Sequence, residues 1–160
     1  MAARAGVPYR RSADGRPGTT VTDDSPLLEL VGDEVPAVSD DTDPSIRLSL
    51  VIPTYDEAAN VGRLVRRLHQ VLAATGVGFE LIIVDDDSPD CTWKVAAGLV
   101  QDVPSLRVIR RTGASGLATA VICGWSHARG DVLGVIDGDG QHPPEVVTDL
   151  LAAMDGQTEV

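Results

Sequence analysis

The sequence has little positive charge and no long apolar run. Its 160 residues include 13 lysines and arginines against 24 aspartates and glutamates, giving a formal net charge of −11. This composition excludes a nucleic-acid-binding protein, because no basic stripe is available to meet phosphate groups. No stretch is long and apolar enough to span a membrane, and the first residues lack the apolar core of a secretory signal peptide. An anionic ligand would be disfavoured unless a bound cation offset the negative charge locally.

Cysteine is equally scarce. Cys91 and Cys123 are the only two cysteines, and their separation does not match the spacing of a metal-binding pair. Two free thiols are the usual condition of a protein in a reducing compartment, so we expect a cytoplasmic location.

The first 45 residues have almost no periodic apolar pattern. Four arginines come first, and eight acidic residues then follow without a basic residue among them. This segregated charge predicts a disordered acidic tail over residues 1–45 that buries little surface against a single domain over residues 46–160. The one apolar cluster of the tail is Leu27 to Val31, and a short binding motif at this cluster is the alternative interpretation.

From residue 48 onward, short apolar runs alternate with segments of helical periodicity. We expect strands at about 48–52, 79–84, 106–110 and 132–136, each followed by a helix. The first of these helices should end near Gly76, and the last should end near Met154. Helical crossovers between short apolar strands predict an α/β fold with a parallel sheet and right-handed connections. The glycine-containing segment 113–116 has neither a dinucleotide-binding fingerprint nor a phosphate-binding lysine.

Three of these strands end in acidic residues. Asp56 and Glu57 follow the first strand, residues 85–87 after the second are all aspartates, and Asp137 and Asp139 follow the fourth. The carboxyl ends of parallel strands lie along one edge of a sheet, where ligands bind in open α/β folds. The sequence therefore predicts a ligand site rich in carboxylates at that edge.

The acids after the fourth strand have the pattern of a cation site. Asp137 and Asp139 are separated by one glycine, and alternate residues of an extended segment point the same way. Gly138 leaves the approach open, and Gln141 offers a third oxygen. Three oxygen ligands suit Mg²⁺ or Mn²⁺ and leave coordination positions for water and phosphate. The alternative is an acidic turn closed by Pro143, since Asp, Gly and Pro are ordinary turn residues.

Three motifs occur in a particular order along the chain: residues 51–57 (VIPTYDE), residues 83–90 (IVDDDSPD) and residues 137–145 (DGDGQHPPE). Together they resemble the family 2 glycosyltransferases of GT-A fold, and within them most closely the dolichyl-phosphate (polyprenyl-phosphate) mannose synthases. The resemblance implies a Rossmann-like nucleotide-diphospho-sugar-binding domain. It also implies a metal-dependent transfer of mannose from GDP-mannose to a polyprenyl phosphate, with inversion at the sugar carbon. The resemblance places this reaction at the cytoplasmic face of a membrane.

The same resemblance implies roles by position. Pro53, Tyr55 and Glu57 would hold the base and ribose of the nucleotide sugar, and Asp86, with Val84 behind it, would face the nucleoside. The metal ligands would be Asp137, Asp139 and Gln141, with Mg²⁺ or Mn²⁺ as the cofactor. The implied donor-binding set is Pro53, Tyr55, Glu57, Val84, Asp86, Asp137, Gly138, Asp139 and Gln141.

The chemistry of such a transfer agrees with these roles. The departing diphosphate must be stabilised, and a bound cation supplies charge where charge develops. A polyprenyl phosphate is already anionic near neutral pH, since the second pKa of a phosphate monoester is about 6, so it needs positioning more than a strong base.

The resemblance covers residues 48–154 and implies only the donor-binding half of a family member. The family carries its acceptor site beyond the third motif, so no catalytic base can be assigned among these 160 residues. We expect an apparently truncated domain that binds the donor and transfers sugar poorly by itself, and that is completed by a C-terminal half or a membrane subunit.

Two other functions are open. A non-catalytic fragment of a split or truncated glycosyltransferase would keep the same donor site without turnover. A Mg²⁺-binding receiver module of a signalling system is also a parallel α/β fold. Such a module needs a lysine on a late strand, whereas the only lysine here, Lys94, lies in an expected helix.

Overall fold

The structure is a computed structural model that describes residues 9–10, 27–31 and 42–155. Its strands are β1 (Tyr9–Arg10), β2 (Leu27–Val31), β3 (Leu48–Thr54), β4 (Phe79–Asp85), β5 (Leu106–Thr112) and β6 (Val132–Val135). Its helices are α1 (Val61–Ala73), α2 (Thr92–Ala97), α3 (Leu117–Ser126) and α4 (Glu145–Asp155).

The six described strands form one sheet in the order β1-β6-β3-β4-β5-β2. Strands β2 to β6 pair in parallel, and β1 pairs antiparallel with β6 over two residues. The central strands β3 and β4 pair along their whole length, from Leu48 beside Phe79 to Thr54 beside Asp85. The expected alternation of strands and helices from residue 48, and the parallel sheet that it predicts, are confirmed.

Alternate residues of the central strands pack on opposite faces of the sheet. Leu48, Leu50 and Ile52 face a core shared with α1, α2 and α4, whereas Val51 faces a second core shared with α3. Both faces are therefore covered, which explains why β3 reads as a continuous apolar run and why all seven of its residues are buried.

The packing of helix α3 on the sheet depends on one glycine. A Cβ atom at Gly124 would lie 2.5 Å from Cγ1 of Val51 and 3.1 Å from Cγ2 of Val84. Only the absence of a side chain at this position lets the helix backbone pack at this distance over the centre of the sheet.

One segment of the predicted tail belongs to the sheet. Leu27–Val31 pairs in parallel with β5, in register with Val108 to Thr112, so the expectation of disorder does not hold for these five residues. The short strand Tyr9–Arg10 also lies on the sheet. Most of residues 1–45 lie outside the described residues, and the domain boundary near residue 45 stays a prediction.

In the described part of the chain, no helix combines the length and apolar character that crossing a bilayer requires. The two cysteines are both free thiols. Cys91 is exposed, whereas Cys123 lies on the buried face of α3 that packs on the sheet, and this burial raises the pKa of its thiol.

Candidate functional site

The loops that follow β3, β4, β5 and β6 lie along one edge of the sheet. These strands end at Thr54, Asp85, Thr112 and Val135, and their parallel pairing brings those ends to the same side. The three sequence motifs thus meet at this edge, as their positions at strand ends predict.

Asp85 is the buried anchor of the loop between β4 and α2. One carboxylate oxygen accepts hydrogen bonds from Thr54 Oγ1 at 2.8 Å and from Ser88 Oγ at 2.7 Å, and the other accepts from Ser88 N at 2.9 Å. Burial raises the pKa of the Asp85 carboxyl, and the bonds from Ser88 and Thr54 oppose that effect.

The same loop holds the backbone of the loop between β3 and α1. Asp56 N donates to Ser88 Oγ at 3.1 Å, and Glu57 N donates to Thr92 Oγ1 at 2.9 Å. Ala58 N donates to Asp90 Oδ2, also at 2.9 Å. Bonds from Thr92 to the Asp90 carboxylate hold the pKa of Asp90 below its usual value, the hydroxyl bond having the largest effect.

Asp86, the expected nucleoside contact, is tied to the loop that follows β5. Arg111 Nε donates to its Oδ1 at 2.7 Å, and Gly116 N donates to its Oδ2 at 2.9 Å. The side chains of Arg111 and Asp86 are 3% and 10% exposed, so this is a nearly buried ion pair. Oδ1 is contacted by two nitrogens of Arg111, whereas Oδ2 keeps capacity for a further hydrogen bond from a ligand.

Asp137 lies just beyond the end of strand β6, and Asp139 lies on the turn that follows it. Strand β6 ends at Val135, so the extended geometry that the sequence analysis assumed for this pair is wrong. Asp139 Oδ1 accepts a hydrogen bond from Gln141 N at 2.9 Å, and Asp137 Oδ2 lies 3.7 Å from His142 Nε2. Both aspartates are exposed, at the ligand edge of the sheet.

Gly138 packs this acidic turn against the end of β3. A Cβ atom at Gly138 would lie 2.8 Å from Thr54 Cγ2 and 2.9 Å from the carbonyl oxygen of Pro53. Because one of these neighbours is backbone, a side chain at Gly138 would displace the turn. The position of the two carboxylates is therefore set by a close contact that only glycine permits.

In the described residues, no three His, Cys, Asp or Glu side chains cluster closely enough to hold a metal ion by themselves. The oxygen donors at the turn are the carboxylates of Asp137 and Asp139 and the side-chain amide of Gln141. The sequence analysis expected an incomplete protein shell here, in which ligand and water supply the remaining oxygens, and that assignment of these three residues stays a prediction.

The remaining predicted residues lie beside the turn. Pro53 and Val84 are buried and are neighbours in the pairing of β3 with β4. A proline is tolerated here because β6 no longer pairs with β3 at this level. Tyr55 is 59% exposed, and Glu57 is half-buried with its Oε2 accepting from Asn60 Nδ2 at 2.8 Å.

Sequence reasoning assigned no role to Arg111, Ser88, Asp90 or Thr92, although each bonds directly to a loop of the site. An arginine at a strand end among many acids could have suggested the pairing of Arg111. No local signal identifies the partners of the other three, since they are backbone amides more than 30 residues away.

Residues 49–160 match a family model described as glycosyl transferase family 2. The chain is 44% identical over 115 residues to the dolichol-phosphate mannosyltransferase of Pyrococcus furiosus, covering 72% of this chain and 32% of that protein. It is 36% identical over 121 residues to the polyprenol monophosphomannose synthase of Mycolicibacterium smegmatis, covering 73% of this chain and 44% of that protein.

Among solved structures, the chain resembles mannosyl-3-phosphoglycerate synthase from Rubrobacter xylanophilus, with a TM-score of 0.51 and 25% identity. The likeness covers 61% of this chain and 32% of that chain. The chain therefore spans less than half the length of each of these relatives.

Proposed function

The chain belongs to glycosyl transferase family 2, and we propose that it binds a nucleotide-diphosphate sugar for transfer to a polyprenyl phosphate. Its fold is the GT-A fold that the sequence motifs implied. GDP-mannose is the proposed donor, because the two sequence relatives are named for mannosyl transfer to dolichol phosphate and for polyprenol monophosphomannose synthesis.

The observation that carries this proposal is the packing of the acidic turn on the end of β3. The contact of Gly138 with Pro53 and Thr54 brings two exposed carboxylates next to the loop that begins at Tyr55. A nucleotide sugar presents a diphosphate joined to a nucleoside, and this edge offers an oxygen-rich turn beside an exposed aromatic ring.

The residues of the turn fit a divalent cation. Asp137, Asp139 and Gln141 supply hard oxygen donors, and their exposure leaves room for phosphate oxygens. We propose that these three residues hold Mg²⁺ or Mn²⁺ together with the diphosphate. Such a cation, when bound, supplies positive charge that stabilises the departing diphosphate.

The other residues of the edge orient the nucleoside. The exposed ring of Tyr55 suits stacking against the base, and the carboxylate of Glu57 can accept hydrogen bonds from ribose hydroxyls. Asp86 is held in place by Arg111 and can accept one further bond from the base. In the proposed reaction an acceptor phosphate oxygen bonds to the anomeric carbon as the bond to the diphosphate breaks, which inverts that centre.

The first test measures whether nucleotide and metal bind together. Titrate GDP and UDP calorimetrically with and without Mn²⁺, using the wild-type chain, Asp139→Ala and the control Asp149→Ala, whose side chain is exposed on α4. We expect Mn²⁺ to strengthen GDP binding by about tenfold or more in the wild type and the control, an effect of about 1.4 kcal/mol. Asp139→Ala should lose this increase.

Equal affinity with and without metal in all three proteins would contradict the metal assignment. Equal affinity of the wild type for GDP and UDP would contradict the proposed donor while leaving the metal assignment standing.

A further inference from the structure

Three consecutive backbone amides in the loop after β3 are held by side chains of the segment that leads from β4 into α2. Asp56 N, Glu57 N and Ala58 N donate to three different acceptors, at distances of 2.9 to 3.1 Å. The acceptors are Ser88 Oγ, Thr92 Oγ1 and Asp90 Oδ2, and we call these three residues the amide clamp.

The members of the amide clamp are themselves fixed. Ser88 Oγ donates to Asp85 Oδ2 at 2.7 Å, and Ser88 is buried. Thr92 is fully buried, and both its hydroxyl and its backbone N–H donate to Asp90 Oδ1. The acceptors thus occupy defined positions before any ligand binds, so the three amides are held rigidly.

The loop that they hold needs this support. Asp56 has a φ of 57°, in the left-handed region that costs a non-glycine residue about 1 kcal/mol or more. The residues on either side of Asp56 are Tyr55 and Glu57, which we propose contact the nucleoside. If the bonds to the amides were lost, the backbone at Asp56 could relax, and both neighbouring side chains would change direction.

We infer that Ser88, Asp90 and Thr92 are positioning residues for the nucleoside part of the donor, acting through Tyr55 and Glu57. This inference rests on the proposed function. The amide clamp supports the loop after β3, whereas the proposed metal ligands lie on the turn after β6. Loss of the clamp therefore weakens nucleotide binding by the same factor with and without metal.

A purely structural role predicts a different result. Thr92 is the first residue of α2, so its bonds to Asp90 could serve only to start that helix. In that case a change at Thr92 lowers the melting temperature, while the protein that remains folded binds nucleotide as tightly as the wild type does.

The test uses Thr92→Val, which keeps the shape of the side chain and removes the acceptor for Glu57 N, and Thr92→Ser, which keeps the hydroxyl. Titrate GDP calorimetrically at a temperature where each variant is folded, with and without Mn²⁺. We expect Thr92→Val to bind about tenfold more weakly than the wild type in both conditions, and Thr92→Ser to restore most of the affinity. Asp90→Asn, at an exposed position, provides a second variant if Thr92→Val does not fold.

Amide hydrogen exchange of the ligand-free protein supplies an independent measurement. Peptides that cover residues 55–60 should exchange faster in Thr92→Val than in the wild type or Thr92→Ser. Unchanged exchange in this segment, or unchanged GDP affinity in Thr92→Val and Asp90→Asn, would overturn the inference. A wild-type chain that binds no GDP overturns the proposed function instead, and the exchange rates then show whether the clamp holds the loop.

Discussion

Asp85, Asp86 and Asp87 are consecutive aspartates with three different environments. Asp85 is fully buried and accepts bonds from neutral groups, Asp86 is 10% exposed and paired with Arg111, and Asp87 is 44% exposed and paired with Arg110. The strand ends at Asp85, and Asp87 adopts a φ of 54°, so the chain turns outward within two residues. The run of identical residues therefore contains one structural anchor, one candidate ligand contact and one surface ion pair.

The raised pKa of Asp85 leads to a pH-dependent stability. Burial makes the pKa of Asp85 higher in the folded state than in the unfolded state. The protonated carboxyl therefore favours the folded state, and its full contribution to the free energy of unfolding is present at a pH below the unfolded-state pKa. That contribution is lost as the pH rises through the folded-state pKa. In Asp85→Asn the side chain cannot ionise, and its amide can still bond to Ser88 and Thr54. We expect the wild type to gain stability relative to Asp85→Asn as the pH falls from 7 toward about 4, the ordinary range of an aspartate pKa.

Urea unfolding of both proteins at several pH values measures this difference. Asp131→Asn, at an exposed position between α3 and β6, controls for the loss of one negative charge. A free-energy difference between wild type and Asp85→Asn that is constant over this pH range, or that moves the other way, would contradict the burial argument.

At the scale of the elements, β2 completes one side of the sheet. Leu27 packs against one core, and Leu28 and Leu30 pack against the other, so this short strand contacts both faces. Glu29 pairs with Arg110 at 2.9 Å, and the Arg110 guanidinium lies 4.0 Å from the centre of the Trp93 ring. Strand β2 thereby covers the edge of β5 that would otherwise expose unpaired backbone groups.

We expect β2 to contribute to stability far more than its acidic surroundings suggest. Compare the wild type with two truncated chains, one lacking residues 1–26 and the other lacking residues 1–41. The first should change little, because the two residues of β1 pair with only two residues of β6. The second should lose about 2–4 kcal/mol through the partial exposure of three leucines, which lowers Tm by on the order of 10 °C.

Thermal unfolding followed by circular dichroism checks this prediction, and light scattering checks for association at the exposed edge of β5. If the two truncated chains melt at the same temperature, β2 adds no stability to the sheet.

At the scale of the whole molecule, negative charge dominates the ligand edge. The chain has a formal net charge of −11, and among the described residues of this edge Arg110 and Arg111 are already engaged with Asp87 and Asp86. A bound divalent cation can offset this charge for the donor diphosphate. An anionic lipid phosphate must still approach against the remaining negative potential.

We therefore expect this 160-residue chain to bind the donor and to transfer sugar poorly. Transfer requires the acceptor oxygen within about 3–3.5 Å of the anomeric carbon, which demands groups that hold the acceptor. Incubate the chain with GDP-mannose, polyprenyl phosphate and Mn²⁺, and measure glycolipid formation, with the Pyrococcus furiosus relative as a positive control. Multiple turnovers by the chain alone would show that an acceptor site lies within these residues.

Much of the fold followed from local patterns in the sequence. The spacing of Val61, Leu64, Val65, Leu68, Val71 and Leu72 predicts α1, and all of them are buried except the half-buried Val71. Short apolar runs between helices predict parallel strands, and parallel strands bring acidic ends to one edge. These features depend on the spacing of apolar side chains within one segment, and this spacing can be read from a single sequence.

Tertiary structure alone decided the contacts that hold the site. Five residues of β2 are too few to show a period, and their place depends on the open edge of β5. The register between neighbouring strands determines that Arg111 is buried beside Asp86. The same register brings the amides of residues 56–58 to their hydrogen-bond acceptors. Such contacts join residues 25 to 35 positions apart in the chain, so no local pattern encodes them.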